Sequence, residues 1–212
     1  MVCKLLVFAK APVPGQVKTR LAPVLGATDA ARLQQALTRH TLGCAIAAGV
    51  GPVELWCAPQ VSHPFFADCA DRFAVSLRDQ PAGDLGSRMD AALADALATA
   101  SAAIVIGTDC PAMDQGRLRQ AASALANGFD AVLGPAEDGG YVLIGLRRPA
   151  QPLFDGIAWS SSSVLESSRG RLRALGYRWS ELDTLWDVDR PDDYRRMVAQ
   201  RCLAGWTGPD GS

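Results

Sequence analysis

The sequence predicts an α/β fold: one mixed, mostly parallel central sheet with helices on both faces, carried by a single domain over residues 1–206 and followed by a flexible tail at 207–212. Three observations predict it. Short apolar runs rich in Val, Ile and Leu alternate with longer stretches of helical period, which implies crossovers between parallel strands. The 212 residues, 49% of them apolar, can bury one large core. No Pro/Gly/Ser-rich linker is long enough to mark off a second domain, and no repeat is visible.

In chain order, "KLLVFA" (4–9) reads as the first strand and "DAARLQQALTRHTLGCAIAAG" (29–49) as the first long helix. Leu33, Leu37, Thr41 and Cys44 share one face of that helix, and Thr28 stands where a cap would be. "PVELWCA" (52–58) and "FAVSL" (73–77) are strands, "SRMDAALADALATA" (87–100) is a helix, and "AAIVIGT" (102–108) is the fourth strand. A helix over 114–128 follows, with Asp114 as its cap, then a strand at 130–135. The rhythm changes after that. A strand at 139–148, a helix at 161–176 ended by glycine, an edge strand at 177–182 and a helix at 191–206 that opens on Pro191 close one side of the same core.

Charge and composition narrow the function. Lys plus Arg number 21 against 22 Asp plus Glu, so any basic segment is local rather than part of a nucleic-acid track. With no run near 18 apolar residues and no secretory leader pattern, the expectation is a cytoplasmic protein without membrane insertion. The six cysteines are scattered without a C-x-x-C pair, which favours reduced, buried thiols over a zinc site. His40 and His63 have no ligand-spaced partner and read as structural.

In a sheet of this class ligands sit beyond the carboxyl ends of the strands. The stretch "FAKAPVPGQVKTRLAP" (8–23) follows the first strand and holds Lys10, Lys18 and Arg20 with no acid. These cations suit phosphate oxygens, Gly15 permits close backbone approach, and Pro12 and Pro14 stiffen the loop. It is not a P-loop, and a solvated basic turn is the plainer alternative. Asp109, at the end of the fourth strand, can hold Mg²⁺ or Mn²⁺ through hard oxygen ligands. Glu137 and Asp138 precede two glycines in a tight turn that an exposed hairpin would also explain. Asp187 and Asp189 fall on one side of an extended segment with Val188 toward the core, an arrangement of like charges that a cation would resolve. In "RDQPAGDLGSRM" (78–89), Gln80 can read a base edge, Gly83 and Gly86 leave room for a planar ring, and Arg88 can serve phosphate or solvent. Ser160 to Ser163, after Trp159, read as a cap and a polar pocket wall. Together these sets suit a metal-dependent transfer on a phosphate-containing substrate, and no acyl-hydrolase elbow is present.

The blocks "FAKAPVPGQVKTRLAP", "GDLGSRM", "GTDCPAMD", "GPAEDGGYVLIG" and "LWDVDRPDDY" resemble, in order and over about residues 3–200, a bacterial glycosyltransferase-like family, transferase 1 associated with radical-SAM and selenoprotein-type domains. The resemblance implies the nucleotide-diphospho-sugar transferase superfamily and a single-domain, three-layer glycosyltransferase A fold. Nearest in motif style are phospholactate guanylyltransferase and molybdenum cofactor guanylyltransferase. That likeness implies a nucleoside triphosphate, GTP first, with its phosphates at Lys10, Gly15, Lys18 and Arg20 and its base near Gln80, Gly83, Asp84, Leu85, Gly86 and Arg88. It implies Mg²⁺ or Mn²⁺ on Asp109 with Asp189 as a second ligand, catalytic roles for Lys18, Asp109, Glu137 and Asp138, and an acceptor near Tyr141, Trp159 and Ser160. The prolines of "KAPVPGQVK" depart from the glycine-rich start usual in such nucleotidyltransferases. The alternatives are a glycosyltransferase using a nucleotide sugar, and a nucleotide-binding protein without turnover.

Overall fold

The computed structural model describes residues 2–208. The chain runs through β1 (Cys3–Lys10), a 3₁₀ turn (Thr19–Leu21), α1 (Ala22–Ala48), β2 (Val53–Ala58), α2 (Pro64–Phe73), β3 (Ser76–Asp79), α3 (Leu85–Leu97) and β4 (Ala102–Gly107). It continues through α4 (Gln115–Ala126), β5 (Ala131–Pro135), β6 (Tyr141–Leu146), α5 (Val164–Ala174), β7 (Trp179–Glu181) and α6 (Pro191–Ala199). The strands form one sheet in the order β3-β2-β1-β4-β6-β5-β7. Only β6 runs against its neighbours, β4 and β5, so the sheet is mixed and mostly parallel, as the sequence predicts.

Strand alternation builds the layers. Leu5 and Val7 of β1 point to the face where α1, α2 and α4 pack through Leu42, Phe66 and Leu118. Leu6 and Phe8 point to the opposite face, covered by α3 and α5 through Leu93 and Leu172. A third cluster joins the start of α1 to the late chain, with Leu21, Leu33 and Leu37 against Trp186, Val188 and Met197. No helix among the described residues is long and apolar enough to cross a membrane.

Local chemistry moves several boundaries. The first helix begins at Ala22 rather than after Thr28, and Gly26, at φ 73°, breaks it into a short opening turn and the long segment. Leu33, Leu37 and Thr41 are buried as their spacing predicts, with Cys44 half-buried. The stretch before the third strand folds as α2, because Pro64 suits a first helical position and His63 Nδ1 accepts from the Phe65 N–H at 3.3 Å. That helix pushes β3 from the expected 73–77 to Ser76–Asp79. The last helix stops at Ala199, and Leu203 and Trp206 pack back beside it as irregular chain. Of the tail expected at 207–212, residues 209–212 lie outside the described residues.

Candidate active site

The carboxyl ends of β1 and β4 open onto two adjoining cavities. The larger, about 800 Å³, lies under the loop after β1 and is lined by Lys10, Lys18, Arg20 and Arg88, with Asp109 and Asp189 among them. Gly15 sits at φ +78° with nothing within 4 Å of a built Cβ, so the turn needs its backbone freedom rather than its small size. Lys10 Nζ donates across the loop to the Gln16 carbonyl at 2.9 Å. Lys18 is itself left-handed, at φ 48°, and its side chain is only 4% exposed. Its ammonium lies 2.7 Å from Asp109 Oδ1 and donates to the Val188 carbonyl, also at 2.7 Å. Lys18 therefore fixes Asp109 and the late chain, and the more accessible cations are Lys10, Arg20 and Arg88. Arg20 pairs with Asp189.

The smaller cavity, about 340 Å³, is walled by Phe8, Met89, Tyr141, Trp159 and Val164, with Asp109, Asp138 and Asp187 at its polar end. Phe8, Leu85, Gly107 and Asp109 line both cavities. Tyr141 meets Trp159 edge to face at 6.4 Å. The Trp159 indole lies against Gly86, where an added Cβ would stand 2.6 Å from the ring. Ser160, at φ 68°, turns the chain back along the rim of this cavity. Burial, and then the charge of Asp109, pushes the Asp187 carboxyl up to about 7, against the pull of Lys18.

Other residues singled out in the sequence serve the protein itself. Glu137 accepts from both terminal nitrogens of Arg196, at 2.8 and 3.1 Å, and these bonds hold its carboxyl below the usual range. It lines neither cavity, and the late helix α6 supplies its partner. Asp138 does line the smaller cavity while accepting from the Gly140 N–H at 2.8 Å. Gln80 turns its amide N–H groups toward the carbonyls of Ala9 and Trp56, at 3.3 and 2.9 Å, tying the ends of β1 and β2 and leaving only its oxygen near Arg88. Asp84 caps α3 by accepting from the Ser87 N–H at 2.8 Å, and that bond lowers its carboxyl pKa. Gly83, at φ +118°, serves the turn that precedes this cap. The ring that needs Gly86 is the chain's own Trp159. Asp187 and Asp189 separate, one into each cavity. Asp114 caps α4 as expected.

Residues that the sequence reading passed over also line the site. Phe8 and Met89 belong to strand and helix runs that look purely structural. Gln34, 4% exposed, reaches from α1 to donate to Thr108 Oγ1 at 3.1 Å in the floor of the basic cavity. Its only signal is a polar residue beside the apolar face of the helix.

Among the described residues, no three His, Cys, Asp or Glu side chains converge to enclose a metal ion. The donor set that does occur, Asp109 with half-buried Asp187 beside the same cavity, consists of hard carboxylate oxygens whose mutual repulsion a divalent cation would relieve. Such a pair fits a cation that takes its remaining ligands from a substrate phosphate and water.

Residues 41–161 match the DUF2064 family, described as an uncharacterized protein conserved in bacteria. The chain belongs to this family. DUF2064 here has the fold of the nucleotide-diphospho-sugar transferases. A protein of Desulfovibrio desulfuricans G20, provisionally named a nucleotide-diphospho-sugar transferase, is 28% identical, with TM-score 0.87 over 98% of this chain and 91% of its own. The inositol-1-phosphate CTP transferase of T. maritima shares the fold at TM-score 0.61 and 11% identity, covering 96% of this chain and 97% of its own. So does Rv0371c of Mycobacterium tuberculosis in complex with manganese, at 0.56 and 19%, covering 94% and 99%. No curated protein matches the sequence.

Proposed function

We propose that the chain is a metal-dependent nucleotidyltransferase, carried by one domain over residues 1–206, that moves a nucleoside monophosphate from a nucleoside triphosphate to a small acceptor and releases pyrophosphate. The observation that carries this reading is Asp109, which lines a cation-rich cavity on one side and an aromatic one on the other. Two substrates that must meet at one phosphorus need two compartments with a shared charged edge. Lys10, Arg20 and Arg88 hold the triphosphate, while Lys18 orients Asp109 from beneath. Asp109 and Asp187 would hold Mg²⁺ or Mn²⁺, with Asp189 kept on Arg20 instead of the metal. When bound, that cation supplies positive charge to the phosphate oxygens. The acceptor oxygen forms a bond to the α-phosphorus, the bond from that phosphorus to the bridging oxygen breaks, and its electron pair leaves with pyrophosphate. Asp138, on the acceptor side, takes the proton of a hydroxyl acceptor. The likeness to a CTP transferase puts CTP beside GTP as a donor to try first.

Glycosyl transfer from a nucleotide sugar is the second reading, supported by the name of the Desulfovibrio protein. A thermal-stability panel of GTP, CTP and nucleotide sugars in Mg²⁺, followed by product analysis, separates the two. The larger shift with a triphosphate, and pyrophosphate as product, is the expected result. Release of a nucleoside diphosphate from a sugar nucleotide, with triphosphates inert, would replace it by glycosyl transfer. Stabilisation without turnover on any acceptor would leave a non-catalytic nucleotide binder.

A further inference from the structure

The two cavities differ in charge as well as shape. All the lysines and arginines that line them stand in the larger one, and the charged residues lining the smaller one are Asp109, Asp138 and Asp187. A divalent cation bound there would bring two positive charges to three carboxylates, and Lys18, 2.7 Å from Asp109, supplies the third, so an ionised lining is just neutralised and has no positive charge to spare for a substrate. An acceptor phosphate or carboxylate seated in this cavity would find no lysine or arginine in its lining, and Lys18 behind it is already held by Asp109 and the Val188 carbonyl. The walls favour another body: Tyr141 and Trp159 present aromatic surface, and Phe8, Met89 and Val164 are nearly fully buried apolar side chains around them. At about 340 Å³ the space is near the lower end for small-molecule pockets.

From this charge division we propose that the acceptor is an alcohol with a compact apolar or aromatic body and no anionic group, its body against Tyr141 and Trp159 and its hydroxyl at the Asp138 end. The proposal rests on the nucleotidyl reading and narrows its acceptor. In the step it implies, the alcohol oxygen bonds to the α-phosphorus, the phosphorus–oxygen bond to the β-phosphate breaks with its electron pair on pyrophosphate, and the hydroxyl proton passes to Asp138. The product is a nucleoside phosphodiester of the alcohol.

The test uses a matched pair of probes, 2-phenylethanol and 2-phenylethyl phosphate, added to the whole protein with Mg²⁺ and observed by ligand saturation-transfer NMR, which needs no turnover. The alcohol should bind saturably and the phosphate ester at least tenfold more weakly. Val164→Phe, which fills the smaller cavity from its wall, should weaken the alcohol at least tenfold while leaving stabilisation by GTP or CTP unchanged; Ser161→Phe, at the more open rim, serves if that variant does not fold. Asp138→Asn should narrow the gap between the two probes. Equal or tighter binding of the phosphate ester, sensitive to Val164→Phe, would overturn the inference and leave the donor reading intact, and so would binding of neither probe. An alcohol that binds as described while no triphosphate yields pyrophosphate would uphold the cavity's selectivity and reject nucleotidyl transfer.

Discussion

The basic cavity and the aromatic one share an edge at Phe8, Leu85, Gly107 and Asp109, yet they come from different parts of the chain. Asp189 apart, every residue lining the basic cavity lies at or before Asp109, on the loop after β1, at the ends of β1 to β4, and on α1 and α3. Met89 and Val105 apart, the residues that line only the other come from Asp138 onward: the β5–β6 turn, β6, the Trp159 segment, the start of α5 and Asp187. The reversed strand β6 is where one contribution gives way to the other, since it pairs with β4 on one side and β5 on the other. A change in the late chain can therefore reshape the aromatic cavity while the basic one keeps its cations.

Asp109→Asn should damage both cavities at once and has the largest expected effect. Loss of a charged group at the transfer point predicts a fall in turnover of about 10²–10³, and Lys18, 4% exposed, loses its carboxylate partner at a cost of about 1–3 kcal/mol. Pyrophosphate release and urea unfolding read the two effects separately. Turnover within threefold of wild type would remove Asp109 from the chemistry.

Gly86→Ala sharpens the comparison from the acceptor side. A methyl 2.6 Å from the Trp159 indole forces the ring to move, with a stability loss of about 1–3 kcal/mol and weakened acceptor binding. Donor binding, measured by triphosphate titration, should change far less. Arg20→Ala does the converse: loss of one accessible phosphate-facing cation should weaken the triphosphate about tenfold, roughly 1.4 kcal/mol, without changing probe binding in the smaller cavity. A variant that weakened both ligands equally would join the two halves into one site.

The last effect concerns pH. Asp187 titrates near 7 in the folded chain, against 3.8 for an ordinary aspartate, so it favours the folded state fully below about pH 4 and loses that contribution as pH rises through 7. Without metal, the melting temperature should fall between about pH 4 and 7, by roughly 2–4 °C for each kcal/mol lost. Asp187→Asn should flatten this slope, and so should saturating Mn²⁺. An unchanged slope in the variant would assign the titration to another group.

Much of the sheet was legible because apolar runs and helical periods are local signals. The meeting of the basic loop with the end of β4 was also legible, from the rule that ligands gather at strand ends, and Lys18 does lie on Asp109. The helix α2 was missed because it is short and its apolar members, Phe65, Phe66 and Cys69, make only a brief pattern. Residues expected near the base have partners within the protein. Gln80, Asp84 and Gly86 carry the chemistry a purine or pyrimidine site would need, but the protein's own carbonyls, helix end and indole claim it. Glu137 finds Arg196 across 59 positions, a separation no local pattern reports.

Lys18 also sets an order in time. Its ammonium is held by Asp109 and by the carbonyl of Val188, and Val188 is packed among Leu33, Leu37 and Trp186. A ribosome adding about 5–20 residues per second delivers position 188 several seconds after position 109. During that interval the nascent chain has its cationic loop and its β4 carboxylate but lacks the segment that anchors them, so the growing polypeptide should be unable to consume triphosphate. Ribosome-arrested chains exposing residues only to 180 should bind GTP or CTP at least tenfold more weakly than chains exposing residues to 206, and equal binding would show that the late segment is dispensable for the donor site.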